Sequence, residues 1–422
     1  HLIGKGAAYW DYASTEELKA ERETAEKEKR SWLYSRRWMA HTDSDRKRFE
    51  AEGRKGVVRL LIPREGACEF HDHIRGDMKV DWNSEQDHVI QRADGTCLYN
   101  LASVVDDEDM KITHVIRAQE HLSNTPRQIF MVDAMGWKRP EYAHLPFVAE
   151  PGSSNKLSKR KLKDYLKNPD FKKVHERALA IAHAIGLQTN DDTFNPVIVD
   201  FYEQVGYLPD AIINYLLLLG WSLDDKTERF SRAEMIQAFT LERVNKSPAS
   251  FDIKKLGAFQ ERYMIALPLE EKVRMVTPYL VKAKIVDAPA PLETIRAIVQ
   301  AAGERIKIAG DILDYADFFT DDDKLPIDEK AFDKRIRKVE KARSLLAACR
   351  QSLAGAASFD ASHLEKHLAD FVRDQGIELG DIVHALRVAV TGKAVGFGLY
   401  ETLAILGKDR CLARIDLALK RS

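Results

Sequence analysis

Lys156-Leu157-Ser158-Lys159-Arg160 follow a loop of Pro, Gly, Ser and Asn that starts after Glu150. Two lysines three positions apart on a flexible loop could clamp a polyphosphate. A lysine ammonium is a compact cation with three donors, suited to charge that moves during a reaction. Closure of such a loop would set that charge on a departing pyrophosphate. A basic linker without a catalytic role fits the same five residues. His71-Asp72-His73 could ligate a metal, but alternate strand side chains meeting solvent account for it more simply. The four cysteines, Cys68, Cys97, Cys349 and Cys411, include no Cys-x-x-Cys pair. They support neither a disulfide framework nor a cysteine zinc site, and they fit a reducing cytosol.

The elements that must position these groups belong to a long chain. Its 422 residues are enough for two to four domains at roughly 100–200 residues each. Hydrophobic residues are 45% and charged residues 31%, as in folded soluble proteins. Lys and Arg total 65 against 66 Asp and Glu, so any basic surface for nucleic acid must be local. The longest apolar run, 211–221, is broken by Asn214 and falls short of the ~20 residues that span a bilayer. No secretory signal opens the sequence. Residues 1–9 read as the end of a helix running into a turn. A chain rarely starts there, so an N-terminal part is expected to lie outside this sequence.

Ser14-Thr15-Glu16-Glu17 predicts a capped, solvated helix over 14–38. Val57, Val58, Leu60, Leu61 and Ile62 predict a strand ending at Pro63. Further strands are expected at 73–80, 87–91, 98–105 and 113–117, with an acidic turn at 106–109. A helix over 123–135 takes Pro126 in its first turn, where the missing N–H costs nothing, and a strand follows at 144–149. This alternation indicates an α/β sheet. Nine lysines and arginines then lie between Lys156 and Arg177. Helical spacing appears at 171–187, 209–219, 232–239 and 254–263. Ser231 and Glu234 form a capping box stapled by Phe230 and Met235. From 269 to the end, apolar residues at helical spacing predict an all-helical region punctuated by prolines.

Several strings, in order along the chain, resemble the class I glutamyl-tRNA synthetases of bacterial type. They begin with Tyr99-Asn100-Leu101-Ala102, Val104-Val105-Asp106-Asp107 and Ile112-Thr113-His114-Val115-Ile116-Arg117. Glu120-His121-Leu122-Ser123-Asn124-Thr125-Pro126-Arg127-Gln128 comes next. Lys156-Leu157-Ser158-Lys159 looks like the family's KMSKS-type loop with Leu in place of Met. Gly206-Tyr207-Leu208-Pro209-Asp210-Ala211, Leu219-Gly220-Trp221-Ser222, Phe251-Asp252-Ile253-Lys254-Lys255-Leu256 and Leu386-Arg387-Val388-Ala389-Val390-Thr391-Gly392 continue the pattern.

The resemblance implies an α/β plus all-α protein. Residues 1–97 would be an inserted acceptor-binding α+β domain. Residues 98–165 would be the C-terminal part of a Rossmann-like catalytic domain. Residues 166–264 would contact the tRNA stem, and 265–422 would form an all-helical anticodon-binding domain. Tyr99 and Arg117 match positions that hold glutamate, and a guanidinium suits a carboxylate because it binds as a fork. Glu120, His121, Leu157, Ser158 and Lys159 match the ATP and adenylate pocket, with Lys156 and Lys159 the catalytic lysines. The implied reaction joins glutamate to tRNA(Glu) through a glutamyl-adenylate, with ATP and Mg²⁺ as co-substrate. A cytoplasmic monomer without membrane contact is expected. Local basic patches would meet tRNA phosphates, and helical surfaces would read unpaired bases.

Departures from the pattern sharpen these expectations. The family's Arg-Gly-acidic-Asp/Glu-His is here Arg117-Ala118-Gln119-Glu120-His121, one acidic residue fewer. Tyr9-Trp10-Asp11-Tyr12-Ala13 occupies the place of a cysteine zinc knuckle, so no zinc and no metal ligands are expected. Residues 162–195 read as a helical insertion with a basic start. The half-sheet bearing the HIGH-type ATP motif has no counterpart, so the chain alone is expected to bind tRNA without forming adenylate. Two alternatives stand beside this reading. One is a non-catalytic tRNA-binding protein derived from a synthetase. The other is a glutaminyl-tRNA synthetase-like enzyme, which the helical C-terminal pattern disfavours because that relative carries β-barrels there.

Overall fold

The computed structural model describes residues 1–422, which fall into two units, His1–Lys156 with Leu217–Phe251 and Leu157–Leu216 with Asp252–Ser422. The first unit holds two sheets. One is antiparallel, in the order β1 (Ala8–Asp11), β2 (Val57–Leu60) and β5 (Val89–Gln91). The other runs β4 (Gly76–Asp81), β3 (Ala67–Asp72), β7 (Glu141–Leu145), β6 (His114–Ala118). β3 and β4 form an antiparallel hairpin, whereas β7 pairs in parallel with both β3 and β6. The residues expected as one strand at 73–80 are thus a turn and the second arm of a hairpin. Gly76, at φ +85°, opens that second arm without the strain a side chain would bring.

Two capped helices lie in the chain between β1 and β2. α1 (Thr15–Lys27) starts from a Ser14–Glu17 capping box and α2 (Asp43–Ala51) from a Thr42–Asp45 box. The first therefore ends well before residue 38. Residues 2–7 form successive turns rather than a helix end, and Tyr9 lies in β1. Buried carboxylates tie the loops to the sheet. Asp11 accepts from Tyr34 Oη at 2.5 Å and Arg59 Nε at 2.7 Å, and Asp87 accepts from Tyr9 Oη at 2.8 Å and Arg36 Nε at 2.6 Å.

The stretch expected as a buried strand at 98–105 is helical: α3 spans Tyr99–Asp109 and absorbs the predicted acidic turn. Leu98, Leu101 and Val104 recur every third position, and Leu101 and Val104 pack into one core. A short apolar run cannot by itself separate a buried strand from a helix. α4 (Thr125–Met135) joins β6 to β7 and carries Pro126 in its first turn, as expected. It serves two cores: Met131 and Val132 pack with Leu60 and Ile62, and Ile129 packs with Cys68 and Tyr142. Full burial of each such side chain is worth about 1.5–3 kcal/mol. The returning segment places Trp221, Phe230, Met235 and Val244 around Ala143 and Ile74. Its helix Arg232–Ala238 has the predicted Ser231–Glu234 capping box. β8 (Val148–Ala149) pairs in parallel with β9 (Ala249–Ser250).

The second unit is helical throughout, and no strand follows β9. Helix Pro169–Ala184 accounts for much of 162–195, and its Phe171 is buried. Gly206, at φ +94°, approaches the neighbouring backbone so closely that a Cβ there would stand 2.6 Å from that of Ala309. Its carbonyl accepts from Ala309 N at 3.0 Å. The last helix, Lys408–Arg421, buries Arg414 against the end of helix Leu379–Thr391 and the segment 317–322.

Candidate functional site

The parallel pairing of β6 with β7 sets Arg117 directly beside His144. Arg117 Nε donates to His144 Nε2 at 3.0 Å. That ring nitrogen must therefore offer its lone pair, so the proton sits on Nδ1, which faces Asp72 Oδ2 at 2.5 Å. Both His144 and Asp72 are fully buried. Burial pushes the imidazole below its ordinary range, and the positive charge of Arg117 adds to this against the pull of Asp72. Burial acts to raise Asp72. The hydrogen bonds from His144 and from the amides of Ile74, Arg75 and His144 outweigh it and keep the carboxyl low.

The other end of the Arg117 guanidinium is also fixed. Nη2 donates to Thr125 Oγ1 at 2.9 Å, Gln128 Oε1 at 2.8 Å and the His121 carbonyl at 3.2 Å. Gln128 is itself held by Ser103 of α3 at 2.9 Å. These acceptors are all neutral, and none of them receives Nη1. The result is an oriented cation with no carboxylate bonded to it and one donor arm left over. An ionised carboxylate is the ligand such an arm holds best.

Tyr99 is the first residue of α3, not part of a strand adjacent to β6, and it is 55% exposed. Its ring centroid is 6.0 Å from that of His121, in the turn Gln119–Asn124 between β6 and α4. Glu120 of the same turn receives Lys156 Nζ at 2.6 Å, and that bond holds its carboxyl below the usual range. Gln119 stands where the expected acidic residue is missing, and it accepts from Arg75 Nη2. Arg75 also donates to the carbonyls of His144 at 3.1 Å and Lys246 at 2.8 Å. The structure thus gathers Tyr99, Arg117, Glu120, His121 and Lys156 in the first unit.

Leu157, Ser158 and Lys159 belong to the second unit. Ser158 N donates to Tyr165 Oη at 3.0 Å, and the buried Asn195 donates to the Lys159 carbonyl at 2.9 Å. The backbone of the loop is therefore anchored, while the Lys159 and Arg160 side chains are exposed. Sequence reasoning did not find Asp72, Thr125 and Gln128 as partners of this site. The only sequence signal was indirect: Asp72 is a carboxylate between two histidines at a strand end, and Thr125 precedes the helix-starting Pro126.

The positioned arginine thus stands near the end of a parallel strand in a mixed sheet, and an all-helical C-terminal region follows; comparison with known proteins gives the class of protein as a class I tRNA synthetase. The family described as tRNA synthetases class I (E and Q), catalytic domain, matches residues 1–191 and 192–258, and an anticodon binding domain matches 271–419. The chain is 34% identical to a glutamate–tRNA ligase of Moorella thermoacetica over 420 residues, covering 99% of this chain and 78% of that protein. It is also 34% identical to a glutamate–tRNA ligase of Dehalococcoides mccartyi, covering 100% of this chain and 78% of that one. The crystal structure of a glutamate tRNA ligase from Elizabethkingia meningosepticum in complex with its amino acid is similar, at TM-score 0.79 and 25% identity. That match covers 99% of this chain and 80% of the other. The chain belongs to the glutamate–tRNA ligase family.

Proposed function

We propose that this protein attaches glutamate to tRNA(Glu) in translation, with ATP and Mg²⁺, through a glutamyl-adenylate. The observation that carries this reading is Arg117, an immobilised cation bonded only to neutral groups, with Nη1 donating to nothing in the protein. A free carboxylate of glutamate would receive that donor, and the exposed Tyr99 beside His121 would bound the same ligand. The amino acid's other carboxylate then attacks the α-phosphate of ATP and expels pyrophosphate, and the terminal ribose hydroxyl of tRNA takes the acyl group from the adenylate, releasing AMP and a proton. Catalysis of this kind rests on positioning and on stabilising phosphoryl charge. Lys159, exposed on an anchored backbone, would meet the departing pyrophosphate, with Lys156 and Glu120 at the rim of the adenylate pocket beside Leu157 and Ser158. No Cys-based zinc enters this mechanism. The protein would act as a cytoplasmic monomer. No helix is long and apolar enough to cross a membrane. The helices of 265–422 would read the anticodon, 1–97 would hold the acceptor end and 166–264 would follow the stem.

The test is aminoacylation by the protein expressed from its complete reading frame. Tritiated glutamate should accumulate on tRNA(Glu) in an ATP-dependent manner, and glutamine should not. Charging with glutamine alone would move the protein to the glutaminyl branch. Tight tRNA binding with no charging of either kind would favour the non-catalytic alternative.

A further inference from the structure

His71-Asp72-His73 looked, in sequence, like one motif. The structure separates its three members. Asp72 turns inward to His144, and His71 Nδ1 pairs with Asp77 Oδ1 on β4 at 2.7 Å. His73 goes elsewhere. Its Nε2 meets Glu141 Oε2 at 2.5 Å, and His114 Nε2 stands 3.6 Å from the same oxygen. The three ligand atoms all lie within 4.8 Å of one another.

We propose that His73, His114 and Glu141 form a binding site for a divalent transition-metal ion of the zinc type. Two imidazoles and a carboxylate are the donor set that borderline ions such as Zn²⁺ prefer over Mg²⁺ or Ca²⁺. Rigid backbone supplies the three positions. His114 and Glu141 are register partners at the starts of β6 and β7, and His73 directly follows β3, its amide donating to the Tyr142 carbonyl at 2.9 Å. His114 Nδ1 is 2.9 Å from Thr113 Oγ1. A proton donated there leaves Nε2 with a lone pair for the metal, the usual outer support of a ligating histidine. In a tetrahedral site with bonds of ~2.0–2.1 Å, ligand atoms stand about 3.3 Å apart. The separations from Glu141, 2.5 and 3.6 Å, lie on either side of that value, and the exposed side chains of His114 and Glu141 can rotate to meet it. Solvent would complete the coordination.

The site lies at the opposite ends of β6 and β7 from Arg117 and His144, so its occupancy has a readout separate from aminoacylation. An ion there would pin three adjacent strands together. The experiment titrates the metal-stripped full chain with ZnCl₂ by calorimetry and follows Co²⁺ substitution by visible absorption. One saturable equivalent is expected. His73→Ala and His114→Ala should each weaken it at least ten-fold, while His71→Ala and Cys97→Ser leave it as it was. Zinc should raise the melting temperature of the unaltered chain and not that of His114→Ala. Glu141→Gln keeps the shape of the site without its charge and should also lose affinity, which decides the matter where an alanine variant fails to fold by circular dichroism. Absence of a saturable equivalent overturns the proposal. So does an equivalent that survives both histidine replacements, or one that disappears only with Cys97→Ser.

Discussion

Arg117 and Arg414 show two ways in which a fold can hold a guanidinium. Arg414, in the helical unit, is buried to 1% exposure, and each of its three nitrogens donates. Nη1 goes to the Val390 carbonyl at 2.6 Å, Nη2 to those of Asp317 at 2.8 Å and Thr320 at 3.0 Å, and Nε to Asp322 Oδ1 at 2.6 Å. Burial pushes this guanidinium down, and the Asp322 carboxylate works against that. The carbonyls come from the ends of separate segments, so the arginine closes helix termini whose acceptors would otherwise be unmade. Arg117 is held as firmly, but by neutral acceptors, with one arm unused and no carboxylate bonded to it. A cation closed on all sides does structural work, and a cation held open is prepared for a ligand.

The sharpest break in this contrast would come from Arg414→Ala. Removing one partner of a buried charged network costs about 3–5 kcal/mol, so urea unfolding should lose that much stability. A loss below 1 kcal/mol would mean that the closed arginine is not structural. Lys159→Ala probes an exposed cation of the same unit. In the complete protein it should slow adenylate formation about a hundred- to a thousand-fold, as when one group that stabilises transition-state charge is removed, with a smaller effect on ATP affinity. Lys161→Ala is the control. Equal slowing by both would reduce the loop to a generic basic patch.

Arg117→Ala should do the reverse of Arg414→Ala. The Michaelis constant for glutamate should rise ten- to a hundred-fold, about 1.5–3 kcal/mol for a lost charged hydrogen bond, with less loss of stability than Arg414→Ala. An unchanged constant would remove Arg117 from the site. The support of Arg117 can be tested by pH. His144 is held neutral in the fold, whereas in the unfolded chain it takes a proton near ~6.5. The unfolded state therefore binds more protons as pH falls through that value, and stability is lost from about 6.5 down to the depressed folded value. Thermal melts of His144→Gln should lack this component, giving a shallower slope over that window. The smallest effect is expected for Glu120→Gln. Its pairing with Lys156 is solvent-exposed, so the melting temperature should stay within error.

Much of this site was legible in order but not in geometry. The strings around Arg117, His121 and Lys159 were recognisable because each keeps its residue types and its place along the chain. Tyr99 was placed on a strand because Leu98, Leu101, Val104 and Val105 make a short apolar run, and such a run fits a buried strand as well as a helix. The hairpin turn at 73–75 was hidden because its apolar and polar residues alternate straight through the bend. Asp72 and His144 lie far apart in sequence, so no local pattern could announce their bond.

By itself, the sequence determined the helical C-terminal region, the helix cap at Ser14, the capping box at Ser231 and the helix start at Pro126. These are local matters: a hydroxyl or carboxylate reaches amides two or three residues away, and apolar spacing chooses the face that is buried. Only the tertiary structure decided which charges are closed and which are open. Arg117 and Arg414 are the same residue with apolar neighbours in sequence, and those neighbours do not say which acceptors the guanidinium meets. That depends on the register of β6 against β7 and on helix ends brought together from segments more than twenty residues apart. Pairing over such distances is set by packing, which no window of sequence contains.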